Sequence, residues 1–167
     1  MSTVPLSLPP TNAEDPLAHV VLFQPEIPQN TGNIARTCVA VGAKLWIVKP
    51  MSFSLDERRV RRAGLDYWPH LSLQLVENWD ELLSELSGQR FFFFTKFAKR
   101  GIHDTAFKRG DVLVFGRETS GLPKLVVHSD DPRCLRLPMT DEVRSLNLSN
   151  TVAIALYEHL RQVGGER

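Results

Sequence analysis

The sequence predicts an α/β fold built on a mostly parallel sheet of six strands. Three observations predict it. Six short apolar runs, rich in β-branched and aromatic residues, fall at 19–24, 45–49, 71–76, 91–95, 112–115 and 135–138. Near-continuous apolarity over such lengths marks strands buried on both faces. Segments with helical periodicity alternate with these runs, as a parallel sheet covered by crossover helices requires. Polar loops follow the first, fifth and sixth runs, where open α/β sheets hold their ligands.

Residues 1–18 carry Pro5, Pro9, Pro10 and Pro16 among Ser, Thr and Asn, and are expected to form a disordered tail before a single domain at 19–167. The first helix is expected over 30–41, with Ile34, Cys38 and Val41 on one stripe and Gly42 as its C′ residue. A short basic helix follows at 56–63, closed by Gly64. Asn78 with Glu81 resembles a capping box opening a helix through Leu86, and 122–128 is read as a further short helix. The last helix spans 147–163. Leu148, Val152, Leu156, Leu160 and Val163 form one stripe, while Ile154 and Tyr157 lie on the opposite side. A helix apolar on two sides needs two partners: one is its own sheet, and a second subunit is a candidate for the other.

Apolar residues make up 43% of the 167, charged residues 23%, an ordinary composition for one globular domain. No apolar run approaches the roughly 20 residues of a membrane-spanning helix, and no secretory signal is visible. Cys38 and Cys134 stand alone without a Cys/His cluster, so both are expected as reduced core residues, with no metal. A cytoplasmic location follows from these absences. The net charge of +1 does not by itself suggest nucleic acid, but Arg58, Arg59, Arg61 and Arg62 cluster, and Lys96, Lys99, Arg100, Lys108 and Arg109 form a looser group. Either is a phosphate footprint or a solvated face.

Three segments carry the chemistry. After the first strand comes Pro25-Glu26-Ile27-Pro28-Gln29-Asn30-Thr31-Gly32-Asn33-Ile34-Ala35-Arg36. Its polar residues sit at a helix N-terminus, where free N–H groups favour anions. Arg36 lies about 200° around the helix from Ile34, away from the apolar stripe. It is a functional candidate or a solvated arginine. The fifth strand runs into Phe115-Gly116-Arg117-Glu118-Thr119-Ser120-Gly121-Leu122. Two glycines there suggest either a tight turn whose backbone approaches a ligand or a plain strand-to-helix turn. The spacing fits neither a P-loop nor a dinucleotide fingerprint. The sixth strand ends in Leu137-Pro138-Met139, and Arg144-Ser145-Leu146-Asn147-Leu148-Ser149-Asn150 feeds the last helix. Ser145 or Asn147 can cap it, but the run holds more polar side chains than one cap needs.

Segments 30–36, 115–122 and 137–150, in this order, resemble the three motifs of the SPOUT, or α/β-knot, RNA methyltransferases. Arg61-Arg62-Ala63-Gly64-Leu65-Asp66-Tyr67 and the compact length narrow the resemblance to the tRNA wobble-position cytidine/uridine 2′-O-methyltransferases. The resemblance implies a Rossmann-like sheet whose C-terminal part forms a trefoil knot, S-adenosylmethionine as cofactor with S-adenosylhomocysteine as product, tRNA as substrate and a homodimer. Cofactor contacts then fall on Phe94, Thr95, Gly116, Leu137 and Ser145, and catalytic candidates are Arg36, Glu118, Ser145, Asn147 and Asn150. Arg58, Arg59, Arg61 and Arg62 become candidates for RNA phosphates. The N-terminal tail, and Ser120 where many relatives carry a basic residue, depart from the family pattern.

Arginine's pKa exceeds 12, so a free guanidinium is a poor base. Arg36 is better read as a phosphate clamp that stabilises developing oxyanion charge, with Glu118 orienting Arg36 or a base edge. A non-catalytic RNA-binding module would need neither the 116–121 loop nor the 145–150 run. A flavodoxin-like or receiver domain would need a phosphate loop or clustered aspartates, which the sequence lacks.

Overall fold

The computed structural model describes residues 8, 10–55 and 66–164. Its strands are β1 (His19–Phe23), β2 (Lys44–Val48), β3 (Leu73–Val76), β4 (Phe91–Phe94), β5 (Arg100–Gly101), β6 (Val112–Phe115) and β7 (Cys134–Arg136). They form one sheet in the order β3-β2-β1-β6-β4-β7-β5, and every pairing between strands is parallel. The expected parallel sheet is present with seven strands rather than six. The extra one, β5, is two residues at the edge beside β7, with an exposed arginine and no apolar run to betray it.

The interior strand β1 is buried throughout, with Val20 opposite Leu45 on one neighbour and Leu113 on the other. Alternation divides the core between the two faces. Val20, Leu22, Ile47 and Phe115 pack with Ile34 and Cys38 of α1 (Pro28–Val41) and with Val152 and Leu156 of α3 (Leu148–Val163). Val21, Phe23, Trp46 and Val114 pack with Trp79 and Leu82 of α2 (Trp79–Glu85). Both cysteines are free and buried, and burial pushes both thiols up.

α1 starts two residues before the expected position, and its C-terminal end is where expected. Pro28 opens α1, and Gly42 closes it at φ +75°. Asn78 caps α2 by accepting from the Glu81 N–H at 2.9 Å. The Glu81 carboxylate reaches back to the Glu77 N–H, one residue beyond the position a capping box uses. Residues 122–128 do not form the expected helix. The Val126 and Val127 N–H groups both donate to the Pro123 carbonyl, and the chain then leaves the turn. Leu125 is 82% exposed, so little apolar burial offsets the cost of nucleating a helix there. The expected basic helix at 56–63 lies outside the described residues.

The boundary at His19 also moves. Leu17 and Ala18 are fully buried, and the Leu17 N–H donates to the Gly42 carbonyl at 2.9 Å. Arg109 grips Asp15 through two side-chain bonds of 3.0 and 3.1 Å and donates to the Pro10 carbonyl at 2.7 Å. Residues 10–18 are therefore part of the domain rather than a tail, and Arg109 serves them rather than a basic patch.

Two buried histidines make a prediction. His19 Nδ1 accepts from Trp46 Nε1 at 3.0 Å, and burial, aided by Lys44, pushes its pKa down to about 4. His159 lies in α3 with Nε2 2.9 Å from the Lys108 carbonyl, and burial pushes it down to about 4 as well. Both are neutral when folded at pH 6, whereas unfolded histidine titrates near 6.5. The unfolded chain thus binds more protons between pH 6.5 and 4. Stability should fall as pH drops through that window, by at most about 1.4 kcal/mol per pH unit per histidine. Glu158, held down to about 2 chiefly by Arg161, loses stability only below about 4.5. Urea melts between pH 7.5 and 5 should show the slope, and His159→Gln should remove about half of it. An unchanged slope would assign the protons to other groups.

Candidate active site

The carboxyl ends of β4, β6 and β7, the segment leading into α3 and the start of α1 enclose an open cleft of about 520 Å³. From β1 the sheet extends to β2 and β3 on one side and to β6 and β4 on the other. The cleft thus lies outside the carboxyl ends of the strands, near the point where an open α/β sheet reverses direction. Phe94, Thr95, Gly116, Leu137 and Ser145, the expected cofactor residues, all line it, as do Glu118 and Asn147. Asn30, Lys96, Phe97 and Met139 also line it. Asn30 and Met139 stand within the motif segments and Lys96 within the looser basic group, while the only sequence signal for Phe97 was its place just after the fourth apolar run.

The 116–121 loop is a preformed cradle. Arg117 and Gly121 exchange backbone hydrogen bonds of 3.2 and 3.0 Å, pinching the loop into a small antiparallel bridge. Gly121 takes φ +67°, a region that favours glycine. A Cβ on Gly116 would overlap the Gly121 carbonyl carbon and the Leu122 nitrogen. Glycine is required at 116 because the loop's own backbone crosses over it, with or without a ligand.

Glu118 ties this loop to the start of α1. Its carboxylate accepts from the Glu26 N–H at 2.8 Å, the Ile27 N–H at 3.0 Å and Asn30 Nδ2 at 3.5 Å. Ile27 is the N-cap of α1 and has no side-chain cap of its own, so Glu118 supplies an anion where the helix dipole favours one. Thr119 Oγ1 donates to the Glu26 carboxylate at 2.8 Å, and Arg117 bonds Gln24 while stacking over Phe23. Gln24 itself sits at φ +50°, turning the chain sharply out of β1. Within its own chain Glu118 makes these contacts and none to Arg36, one of the two partners expected for it, and it positions the loop.

Asn147 is the N-cap of α3. Its Oδ1 accepts from the Ser149 N–H at 2.9 Å and Ser149 Oγ at 2.6 Å. Of the two capping candidates, Asn147 fills the role and leaves Ser145 exposed on the cleft wall. Asn150 is exposed in the first turn of α3 and is not among the residues lining the cleft.

Arg36 is exposed on the outer face of α1 and does not line its own chain's cleft. Its guanidinium lies 5.0 Å over the Tyr67 ring, while Tyr67 Oη donates to the Gly32 carbonyl at 2.8 Å. Burial pushes the Tyr67 phenol up, and Arg36 opposes that shift. The ring thus holds Arg36 against α1. Arg58, Arg59, Arg61 and Arg62 lie outside the described residues.

Residues 18–157 match the model of the SpoU rRNA methylase family. The chain belongs to this family. A relative from Methylovorus glucosotrophus, named a tRNA (cytidine(34)-2′-O)-methyltransferase, is 47% identical over 144 residues, covering 86% of this chain and 94% of its own. A Bacillus subtilis protein, provisionally given the same name, is 52% identical over 149 residues, covering 86% and 92%. A solved structure described as giving insight into 2′-OH methylation of C/U34 on tRNA superposes with a TM-score of 0.81 at 43% identity, covering 88% and 96%. This SpoU methylase is accordingly a methyltransferase of SPOUT fold, with the 116–121 and 145–148 segments of its motifs brought together at one cleft.

Proposed function

We propose that the chain transfers a methyl group from S-adenosylmethionine to the ribose 2′-hydroxyl of the wobble cytidine or uridine of tRNA, acting as a cytoplasmic homodimer. The observation that carries this reading is the convergence of Gly116, Leu137 and Ser145, from three separate segments, on one cleft. The names of relatives 47% and 52% identical supply the substrate. The threaded C-terminal segment implied by the resemblance goes with the same reading.

The cleft suits the cofactor. Phe94, Leu122, Leu137 and Met139 offer apolar walls for an adenine, and Thr95 and Ser145 offer hydroxyls. When bound, S-adenosylmethionine supplies an electrophilic methyl on a sulfonium. The chain's own residues hold and orient. The bridge between Arg117 and Gly121 and the Glu118 anchor keep the loop closed before a ligand arrives, and such preorganisation lowers the cost of binding. Arg36 clamps a phosphate beside the reacting ribose and stabilises charge developing on its 2′-oxygen, a role suited to a group that stays protonated. Arg58, Arg59, Arg61 and Arg62 are assigned to RNA phosphates, and Ser145, Asn147 and Asn150 to the substrate side of the site.

Ribose methylation mapped in tRNA from a strain lacking the gene tests the reading. The 2′-O-methyl at position 34 should be missing, and purified protein with S-adenosylmethionine should restore it. An unchanged methylation pattern, or a protein that binds no S-adenosylmethionine by calorimetry, would overturn it.

A further inference from the structure

Phe97 stands on the rim of the cleft with 67% of its surface exposed. It is not a loose side chain on a loose loop. Its N–H donates to Thr95 Oγ1 at 3.3 Å, and the Ala98 N–H donates to the Thr95 carbonyl at 3.3 Å. Ala98 is 2% exposed and anchors the turn into the core, so the backbone is fixed while the ring is held outward. Lys96 Nζ lies 5.2 Å from the ring centroid. Arg136, at the end of β7, is exposed on the same cleft. Among the described residues neither Lys96 nor Arg136 has an acidic partner.

We propose that Phe97 is a stacking platform for one unpaired nucleobase of the RNA strand entering the cleft, with Lys96 and Arg136 holding the phosphates beside it. The inference rests on the RNA methyltransferase reading and adds a recognition residue to it. An exposed aromatic beside one free cation, with a second cation on the same cleft, is the arrangement that single-stranded RNA uses: every base offers a π-face, and its backbone brings the negative charge. An apolar protein surface fits less well. Covering Phe97 would draw the neighbouring Lys96 and Lys99, both exposed, out of water without a partner.

The test measures binding of an unmodified tRNA transcript with cytidine at position 34 to protein saturated with S-adenosylhomocysteine, across a salt series. Phe97→Ala and Phe97→Leu should each weaken binding about tenfold, within the range of one lost aromatic stack, and Phe97→Tyr should keep it. Because Phe97 is uncharged, its variants should leave the slope of log affinity against log salt unchanged, while Lys96→Ala should reduce it by about one. Cofactor affinity and oligomeric state should not move. Wild-type RNA affinity in Phe97→Ala, or full rescue by Leu, would overturn the stack. A change in oligomeric state or cofactor affinity would assign the ring to a subunit contact or to the cofactor pocket instead. Wild-type protein that neither binds nor methylates the transcript would sink the underlying function, a distinct outcome visible before any variant is made.

Discussion

Gly116→Ala should abolish cofactor binding as completely as Gly116→Val. A Cβ at this position would lie 2.7 Å from Gly121 Cα and closer still to the Gly121 carbonyl carbon and Leu122 nitrogen, all backbone atoms that cannot swing aside. The smallest side chain therefore breaks the Arg117–Gly121 bridge, and with it the geometry that points Glu118 at the Glu26 and Ile27 N–H groups. Collision with a ligand would grade with size, Ala being milder than Val; collision with the loop itself would not. The damage is expected to stay local, since the clash falls on residues 121 and 122 at the cleft and Phe115 remains anchored in the core. Gly121→Ala is the contrast. Its Cβ would meet nothing within 4 Å, so it suffers only the left-handed backbone, about 1–2 kcal/mol. Calorimetry with S-adenosylmethionine, with circular dichroism to confirm folding, should show no binding for either Gly116 variant. Wild-type affinity in a folded Gly116→Ala would move the pocket away from this loop.

The sequence disclosed the sheet because buried strands announce themselves by composition, and β1, β2 and β6 fall within a residue or two of the expected runs. It disclosed Asn78 and Gly42 because caps are local chemistry. It did not disclose β5, which exists only because Arg100 and Gly101 lie beside Leu135 and Arg136. Nor did it disclose the docking of 10–18: Pro-rich, polar residues look like a tail until Arg109, 94 residues after Asp15, is brought to meet them. Glu118 shows the same limit within the site. Its position at the tip of a glycine loop suggested chemistry, but its partners lie about 90 residues earlier at the start of α1, and no local pattern encodes that contact. The motif segments meet at one cleft, and for Glu118 long-range hydrogen bonding sets what the side chain touches there.

Arg36→Ala and Gly116→Val, each inactive alone, should restore methyl transfer when unfolded together and refolded into mixed dimers. Arg36 is exposed on α1, stacked on Tyr67, and absent from the lining of its own chain's cleft. α1 packs against α3, whose outward Ile154 and Tyr157 remain 44% and 54% exposed, an apolar surface suited to a second copy. On the proposed dimer, Arg36 of one chain serves the cleft of the other. Arg36→Ala should then bind S-adenosylmethionine normally yet lose about 10²–10³ in turnover, the scale set by removing one transition-state donor. Gly116→Val should lose its own pocket but keep a sound Arg36. Each mixed dimer contains one intact cleft facing one intact Arg36, so up to one working site per dimer is expected. If each chain used its own Arg36, both sites of the mixed dimer would carry a defect. Mixed dimers verified by differential tagging, yet inactive on tRNA, would show that the site is not shared between chains.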